Sequence, residues 1–239
     1  VPHGRGPRPA APRWAQACRS PTARGVLTVS TSVLRRFRHP LQATALLGVL
    51  FVFSFFLPPV NVFADRLDYL PLHAGLEIFS IVVAGMVFAL GWNLRRSARG
   101  GRLVWLGAAC LAAGLLDFAH VMSYPGMPPF FTPNHAEKAI GFWLMARLIG
   151  ALGLLAHALL PEREGGGPAA ARAVLGAIAL TLGWSWLVLA YPQALPATFV
   201  EGQGVTPLKS ALECGLALLY LGAAVLLVRR ALADGEAVG

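Results

Sequence analysis

The sequence predicts an all-α integral membrane protein, a bundle of about six transmembrane helices with both termini in the cytoplasm. Hydrophobic residues make up 56% of the 239 residues and charged residues only 13%, whereas roughly a quarter of a soluble domain is charged. The mean hydropathy is +0.61. The apolar residues also form runs long enough to cross a hydrocarbon core about 30 Å thick, rather than short alternating stretches. A lipid bilayer is therefore the expected solvent.

Six apolar runs are predicted to span the membrane, and a basic tail precedes them. Residues 1–38 are rich in Arg, Pro, Ala and Ser without a hydrophobic period, so we predict a disordered cytoplasmic tail there. Residues 39–230 form the predicted membrane domain, and residues 231–239 form a C-terminal tail. The predicted spans are residues 41–57, 72–92, 103–122, 139–160, 170–190 and 207–228.

The Lys and Arg residues beside the spans predict the orientation of the chain. Positively charged residues in short loops are enriched on the cytoplasmic side of a membrane. One side holds eleven of them and the other side three, which predicts that both termini lie inside. The eleven are Arg35, Arg36, Arg38, Arg95, Arg96, Arg99, Arg102, Arg163, Arg172, Arg229 and Arg230, and the three are Arg66, Lys138 and Lys209.

A secretory signal peptide is the alternative interpretation of the first apolar run. Arg35 and Arg36 would supply its basic region, Leu41–Leu57 its apolar region and Asn61–Ala64 its cleavage stretch. The long basic tail before the run argues against this interpretation. Cleavage would leave five spans with unchanged orientation, so the polar residues of the later spans would be unaffected.

The net charge of +9 does not indicate nucleic-acid binding. The Arg residues cluster beside the ends of the apolar runs and form no continuous basic face. The cysteines, Cys18, Cys110 and Cys214, are widely spaced, so the sequence contains neither a disulfide framework nor a Cys-x-x-Cys metal motif. We therefore expect the lipid bilayer, and no nucleic acid, as a partner.

Ionisable residues within the predicted spans indicate a functional site. A charged group inside a membrane costs about 2.5–3.5 kcal/mol on insertion scales, so it usually has a partner or a function. His73 and Glu77 are four residues apart at the start of the second span, and Asp117 and His120 are three apart at the end of the third. Each spacing places its two side chains on one helix face.

These four residues are expected to face one another and to hold a divalent transition metal. A short basic loop joins the second and third spans, so we predict that the two spans are antiparallel neighbours. The two histidines then lie at similar depth, with the carboxylates about one turn deeper. Imidazole and carboxylate ligands suit Zn, Fe, Ni or Cu. The predicted metal ligands are His73, Glu77, Asp117 and His120.

Further charges extend this site to the fourth and sixth spans. Lys209 and Glu213 are four residues apart at the start of the last span, and Arg147 lies one turn after Trp143 in the fourth. Three acidic residues against two basic ones leave one excess negative charge, which a divalent cation would neutralise. Two alternatives stay open, namely a metal-free polar site that binds a ligand or senses protons, and a purely structural network.

A series of short motifs along the chain resembles the membrane-associated sensor (MASE) domains of the third class. The motifs follow one another in the order and spacing of that family over about residues 41–230. They are Tyr69 to Glu77, Phe79 to Val83, Gly91 to Asn93, the Asp117 and His120 pair, Tyr124 to Met127, Asn134 with Trp143 and Arg147, and Gly204 to Glu213.

This resemblance implies a sensory input domain of the bacterial inner membrane over residues 39–230. Such domains precede histidine kinases, diguanylate cyclases and related enzymes, and they detect a ligand of unknown identity. The resemblance implies a cytoplasmic kinase or cyclase module as partner, in cis or in trans. It implies no enzymatic activity in the chain itself, and it is compatible with a homodimer. Residues 231–239 would be a truncated link to that output module, in a fragment or in a stand-alone input domain. The predicted ligand-binding residues are Tyr124, Asn134, Trp143, Arg147, Lys209 and Glu213.

Two other functions are weaker interpretations of the same residues. A membrane-embedded metal-dependent hydrolase could use the His and carboxylate cluster to activate water, but the sequence offers no acid–base residue outside the cluster. A transporter or channel would need a polar path through the inner half of the bundle, where the sequence places little besides His157. Strong symmetry between the two halves of the chain is also absent.

Overall fold

The chain is almost entirely helical within residues 38–57, 66–97, 100–161 and 166–236, the residues described by the computed structural model. These residues contain six α-helices and one short hairpin, which confirms the predicted all-α membrane architecture. The helices are α1 (Arg38–Ser54), α2 (Arg66–Asn93), α3 (Gly100–Met122), α4 (Ala136–Leu159), α5 (Gly167–Ala190) and α6 (Pro207–Glu236), and the antiparallel strands are β1 (Phe199–Val200) and β2 (Gly204–Val205).

Five of the described helices, α2 to α6, are long and apolar enough to cross a membrane. The apolar helix α1 has 17 residues, which is about 25 Å of helix and slightly less than the thickness of a hydrocarbon core. The predicted tail over residues 1–38 lies outside the described residues except for Arg38, which begins α1. The cleavage stretch Asn61–Ala64 of the alternative interpretation also lies outside them.

Two helix ends differ from the predicted spans. The second helix begins at Arg66 and not after Pro71, so Pro71 lies within its second turn, where a proline donates no backbone hydrogen bond and tends to kink the helix. The last helix continues to Glu236, beyond the predicted span end at residue 228. Arg230 donates hydrogen bonds from that extension to the backbone oxygens of Ala158 and Leu160, at 2.7 and 3.0 Å.

Glycines bring α2 and α3 into close contact as the predicted antiparallel pair. A Cβ atom on Gly91 would lie 2.4 Å from the backbone oxygen of Leu103, and one on Gly107 would lie 3.3 Å from the Cα atom of Phe88. Small residues allow backbones to approach in this way between membrane helices. The close approach aligns the polar residues of α2 with those of α3.

The helix α3 lies at the centre of the α2–α6 bundle, with α2, α4 and α5 packed against it, and α6 packs mainly on α4. Its contacts use small and apolar side chains such as Ala112 and Leu116, which are buried with Phe142 and Ala146 of α4. One end of this bundle carries the loop between α3 and α4 and the hairpin before α6. We call it the loop end, and all the predicted site residues lie towards it.

Candidate functional site

Two histidines from neighbouring helices meet near the loop end of the bundle. The ring centroids of His73 on α2 and His120 on α3 are 5.5 Å apart, which confirms that the two residues lie at similar depth. Tyr124, just after α3, packs on His73 with 4.4 Å between ring centroids, and Tyr69 stacks on it at 5.5 Å. The His73 imidazole is therefore held in place by two phenol rings.

Glu77 completes a group of three side chains that could hold a metal ion. One ligand atom from each of His73, Glu77 and His120 lies within 4.8 Å of the others. The Nδ1 atom of His120 lies 2.8 Å from the backbone oxygen of Ala139. Because a carbonyl oxygen only accepts, that hydrogen bond assigns the proton to Nδ1 and leaves the lone pair of Nε2 for a ligand. Histidines that bind metals are commonly oriented in this way by a backbone carbonyl.

Arg147 from α4 connects the carboxylates of α2 and α3. Its Nη2 atom lies 2.5 Å from Oδ2 of Asp117 and 3.9 Å from Oε2 of Glu77. The Asp117 side chain is 5% exposed and that of Glu77 17%, so both carboxylates are largely removed from solvent. Asp117, the fourth predicted metal ligand, is thus bound to arginine and is not part of the three-residue group.

The second predicted basic residue, Lys209, pairs with Glu213. Its Nζ atom lies 2.7 Å from Oε1 of Glu213, one turn further along α6. The Trp143 ring lies close to both cations, with the Arg147 guanidinium 5.8 Å and the Lys209 ammonium 5.7 Å from its centroid. Arg147 neutralises Asp117, and Lys209 neutralises Glu213. Glu77 is the remaining carboxylate, so it carries the one excess negative charge of the site.

Several buried polar atoms of this cluster have no hydrogen-bond partner among the described residues. They include Nε2 of His73, Oδ1 of Asp117 and Nε of Arg147. Buried side-chain polar atoms in folded proteins are nearly always satisfied by protein or by bound solvent. Three such atoms in one cluster leave hydrogen-bonding capacity there that the described side chains do not use.

The loop between α3 and α4 is held by two residues, one of which sequence reasoning missed. Asn134 donates hydrogen bonds from Nδ2 to the backbone oxygens of Met122, Met127 and Pro128, at 2.9 to 3.1 Å. Lys138 is buried, and its Nζ atom donates to Oδ1 of Asn134 at 3.1 Å. The structure therefore places Asn134, a predicted ligand-binding residue, on the backbone of the loop.

The Lys138 ammonium also binds two backbone oxygens of the same loop, those of Phe130 at 2.6 Å and Thr132 at 3.0 Å. The sequence identifies Lys138 only as one of the positively charged residues beside the spans. The four-residue spacing between Asn134 and Lys138, across the start of a helix, is the signal that could have revealed the contact.

A link from the site to the last helix was also missed. The hydroxyl of Tyr220 on α6 donates a hydrogen bond to the backbone oxygen of Arg147, at 2.9 Å. A tyrosine within an apolar run gives no sequence signal for such a contact. The result is that Arg147 touches the carboxylates through its side chain and α6 through its backbone.

Comparison with known proteins identifies a family for this arrangement. The profile of the family MASE3, a membrane-associated sensor domain, matches residues 64–238. The match includes every residue of the site and begins after α1. No curated protein and no solved structure matches the chain. Because the profile match covers well over half of the chain, the protein belongs to the MASE3 family of membrane-associated sensor domains.

Proposed function

We propose that this sensor domain detects a cation, most favourably a divalent transition-metal ion, at His73, Glu77 and His120. The domain would lie in the bacterial inner membrane, and α6 would transmit the change caused by binding to a cytoplasmic kinase or cyclase module. The observation that carries it is the position of Glu77, the carboxylate outside the two closest ion pairs, beside the imidazoles of His73 and His120.

The donor set supports a transition metal over an alkaline-earth ion. Two imidazoles and one carboxylate suit Zn, Fe, Ni or Cu, whereas Mg and Ca prefer oxygen ligands. Bonds of about 2.0–2.1 Å in a tetrahedral site place the ligand atoms about 3.3 Å apart. The three ligand atoms lie within 4.8 Å of one another, so small rotations of the side chains would close them around an ion.

Arg147 supports a route from cation binding to α6. Glu77 lies 3.9 Å from the guanidinium, while Asp117 holds the same Nη2 atom at 2.5 Å. A cation that binds Glu77 competes with Arg147 for that carboxylate and leaves the arginine to Asp117 alone. The backbone of Arg147 accepts the hydrogen bond from Tyr220, so a shift of Arg147 reaches α6 directly. Such a response is limited by the difference in ligand affinity between the two helix arrangements.

The charge distribution beside the spans supports the orientation of this route. The cytoplasmic side would hold the eleven positively charged residues and the loop end would face the periplasm. The site then lies near the outer face of the membrane, and the end of α6 lies on the side of a cytoplasmic module. A homodimer is compatible with this arrangement.

A chimera tests the proposed sensor. A diguanylate cyclase is fused after Glu236, and its output is measured in cells with and without added Zn. We expect the response to zinc to be lost in His73→Ala and in Glu77→Gln, while His39→Ala on the exposed surface of α1 retains it.

The same chimera tests separately whether these residues form the sensory site and whether zinc is its ligand. If His73→Ala, Asp117→Ala and Lys209→Ala all leave the output unchanged, while the proteins reach the membrane in equal amounts, the proposed site is wrong. If zinc has no effect but these variants change the basal output, the site is functional and zinc is not its ligand.

A further inference from the structure

A second, apolar cavity lies between α4, α5 and α6, separate from the polar site. Its volume is about 580 Å³, within the range of ligand pockets in proteins. It exists because α5 and α6 both pack on other helices and barely contact each other. The lining side chains include Leu144 and Leu148 of α4, Trp184 and Val188 of α5, and Leu216 and Leu219 of α6.

The cavity is polar at one end only. His135 and Lys138 line it at the loop end, where α4 begins, together with Thr198 before the hairpin. The Nδ1 atom of His135 accepts the backbone N–H of Lys138 at 3.3 Å, so the proton of a neutral imidazole lies on Nε2, which can donate. The ammonium of Lys138 donates hydrogen bonds to three neutral oxygens and lies 5.7 Å from the centroid of the Phe130 ring. Glu137 lines the same end of the cavity, so this rim offers a hydrogen-bond donor together with one positively and one negatively charged side chain.

The depth of the cavity matches one leaflet of a bilayer. On α4 the lining extends from the helix start to Leu148, and on α6 it extends to Leu219. Each is 12 residues beyond the first residue of its helix, or about 18 Å of helix. Half of a hydrocarbon core is about 15 Å. A hydrocarbon chain entering from the rim would thus fill the cavity to the middle of the membrane.

The volume argues against another protein segment as the occupant. One turn of a helix about 10 Å wide and 5.4 Å long takes about 400 Å³, so the cavity holds roughly one and a half turns. A spanning helix has more than five turns. A thin, flexible chain with a polar head fits the observed shape better.

We infer that this cavity binds the acyl chain of a membrane phospholipid, with its zwitterionic head group at the rim formed by His135, Glu137 and Lys138. The chain would pack between Trp184 and Leu216 and keep α5 and α6 apart. Trp184 is fixed for this contact, because its Nε1 atom donates a hydrogen bond to the backbone oxygen of Gly141 at 3.0 Å. The lipid would be bound specifically between the helices and would not exchange freely like the surrounding bilayer lipids.

Photo-crosslinking tests this inference. The protein is reconstituted in phosphatidylethanolamine vesicles that contain a trace of the same lipid with a diazirine on one acyl chain. After irradiation, the labelled residues are located by mass spectrometry. We expect labelling concentrated at Leu144, Leu148 and Leu216, and we expect excess unlabelled lipid to compete for it.

Two glycine substitutions on α6 form a matched pair for this experiment. A Cβ atom at Gly215, which lines the cavity, or at Gly222, which does not, would meet nothing within 4 Å. Gly215→Leu should fill the cavity and reduce its labelling about fivefold, which corresponds to roughly 1 kcal/mol. Gly222→Leu should leave the labelling unchanged.

Three results would overturn the inference. One is labelling that follows exposure, concentrated at lipid-facing residues such as Leu218 and Leu221. Another is labelling at the cavity that Gly215→Leu does not reduce. The third is the absence of labelling at the cavity residues, the result expected if a second copy of the chain covers the cavity.

Discussion

The hydroxyl of Tyr220 on α6 donates a hydrogen bond to the backbone oxygen of Arg147 on α4, at 2.9 Å. Arg147 is also the residue that binds Asp117 and approaches Glu77. A backbone carbonyl within a helix usually accepts only from its own helix, so this extra donor ties two spans together. The pair therefore connects α6 directly to the arginine that binds the buried carboxylates.

Tyr220→Phe should separate binding from signalling. The variant keeps the ring and removes one hydrogen bond, worth about 0.5–1.5 kcal/mol. Metal or ligand binding at the site should be nearly unchanged, while the response of a cyclase fused after Glu236 should fall. Binding is measured on the purified domain and the response in cells. Tyr191→Phe, an exposed tyrosine at the loop end, is the control. Equal response in Tyr220→Phe and the unmodified chain would contradict the proposed route.

Removal of each carboxylate should have opposite consequences for stability. Asp117→Asn breaks the ion pair with Arg147 and should cost about 1–3 kcal/mol, the usual cost of leaving a partly buried polar group without its partner. Glu77→Gln removes the excess negative charge, so the unfolding temperature in detergent should stay the same or rise. Thermal unfolding of both variants in metal-free buffer is the measurement. A larger decrease in unfolding temperature for Glu77→Gln than for Asp117→Asn would contradict this expectation. It would mean that Glu77, and not Asp117, is the main ion-pair partner of Arg147.

Lys138→Met should loosen the loop between α3 and α4. The substitution keeps the buried apolar stem and removes a donor to the oxygens of Phe130, Thr132 and Asn134, at a cost of about 1–3 kcal/mol. We expect faster proteolysis within this loop in detergent. The neighbouring substitution Glu137→Gln changes an exposed side chain and should have no effect. Unchanged proteolysis in both variants would show that Asn134 alone holds the loop.

Gly91→Ala should destabilise the pairing of α2 with α3. Its new Cβ atom would lie 2.4 Å from the backbone oxygen of Leu103, so the helices must separate, and overpacking of this kind costs about 1–3 kcal/mol. Gly85→Ala on the same helix meets nothing within 4 Å and is the matched control. A lower unfolding temperature is expected for Gly91→Ala only. If both variants unfold at the same temperature as the unmodified protein, the close approach is not maintained in the membrane protein.

Sequence reasoning could predict those parts of the site that follow from spacing along single helices. The i, i+4 pair of His73 and Glu77 and the i, i+3 pair of Asp117 and His120 fixed one face of each helix. The short loop between α2 and α3 then made the two faces neighbours. The contact between His73 and His120 follows from these two facts, and the structure confirms it.

The contacts between more distant helices could not be predicted in the same way. Arg147 was expected to balance the acidic residues, but only the packing of α4 on α3 decides that it binds Asp117 more closely than Glu77. Tyr220 and the cavity beside Leu216 depend on the gap between α5 and α6, and no spacing within a single helix specifies such a gap. These features arise from tertiary packing, to which a local sequence pattern gives no access.

The metal content of the protein tests the central claim most directly. The domain is purified without added ions, loaded with one equivalent of Zn, passed through a desalting column and analysed for bound metal. We predict about one ion per chain in the unmodified protein and in His39→Ala, and loss of the ion in His73→Ala, Glu77→Gln and His120→Ala. Retention of zinc in all three site variants, or absence of zinc from the folded unmodified protein, would contradict cation binding by these residues.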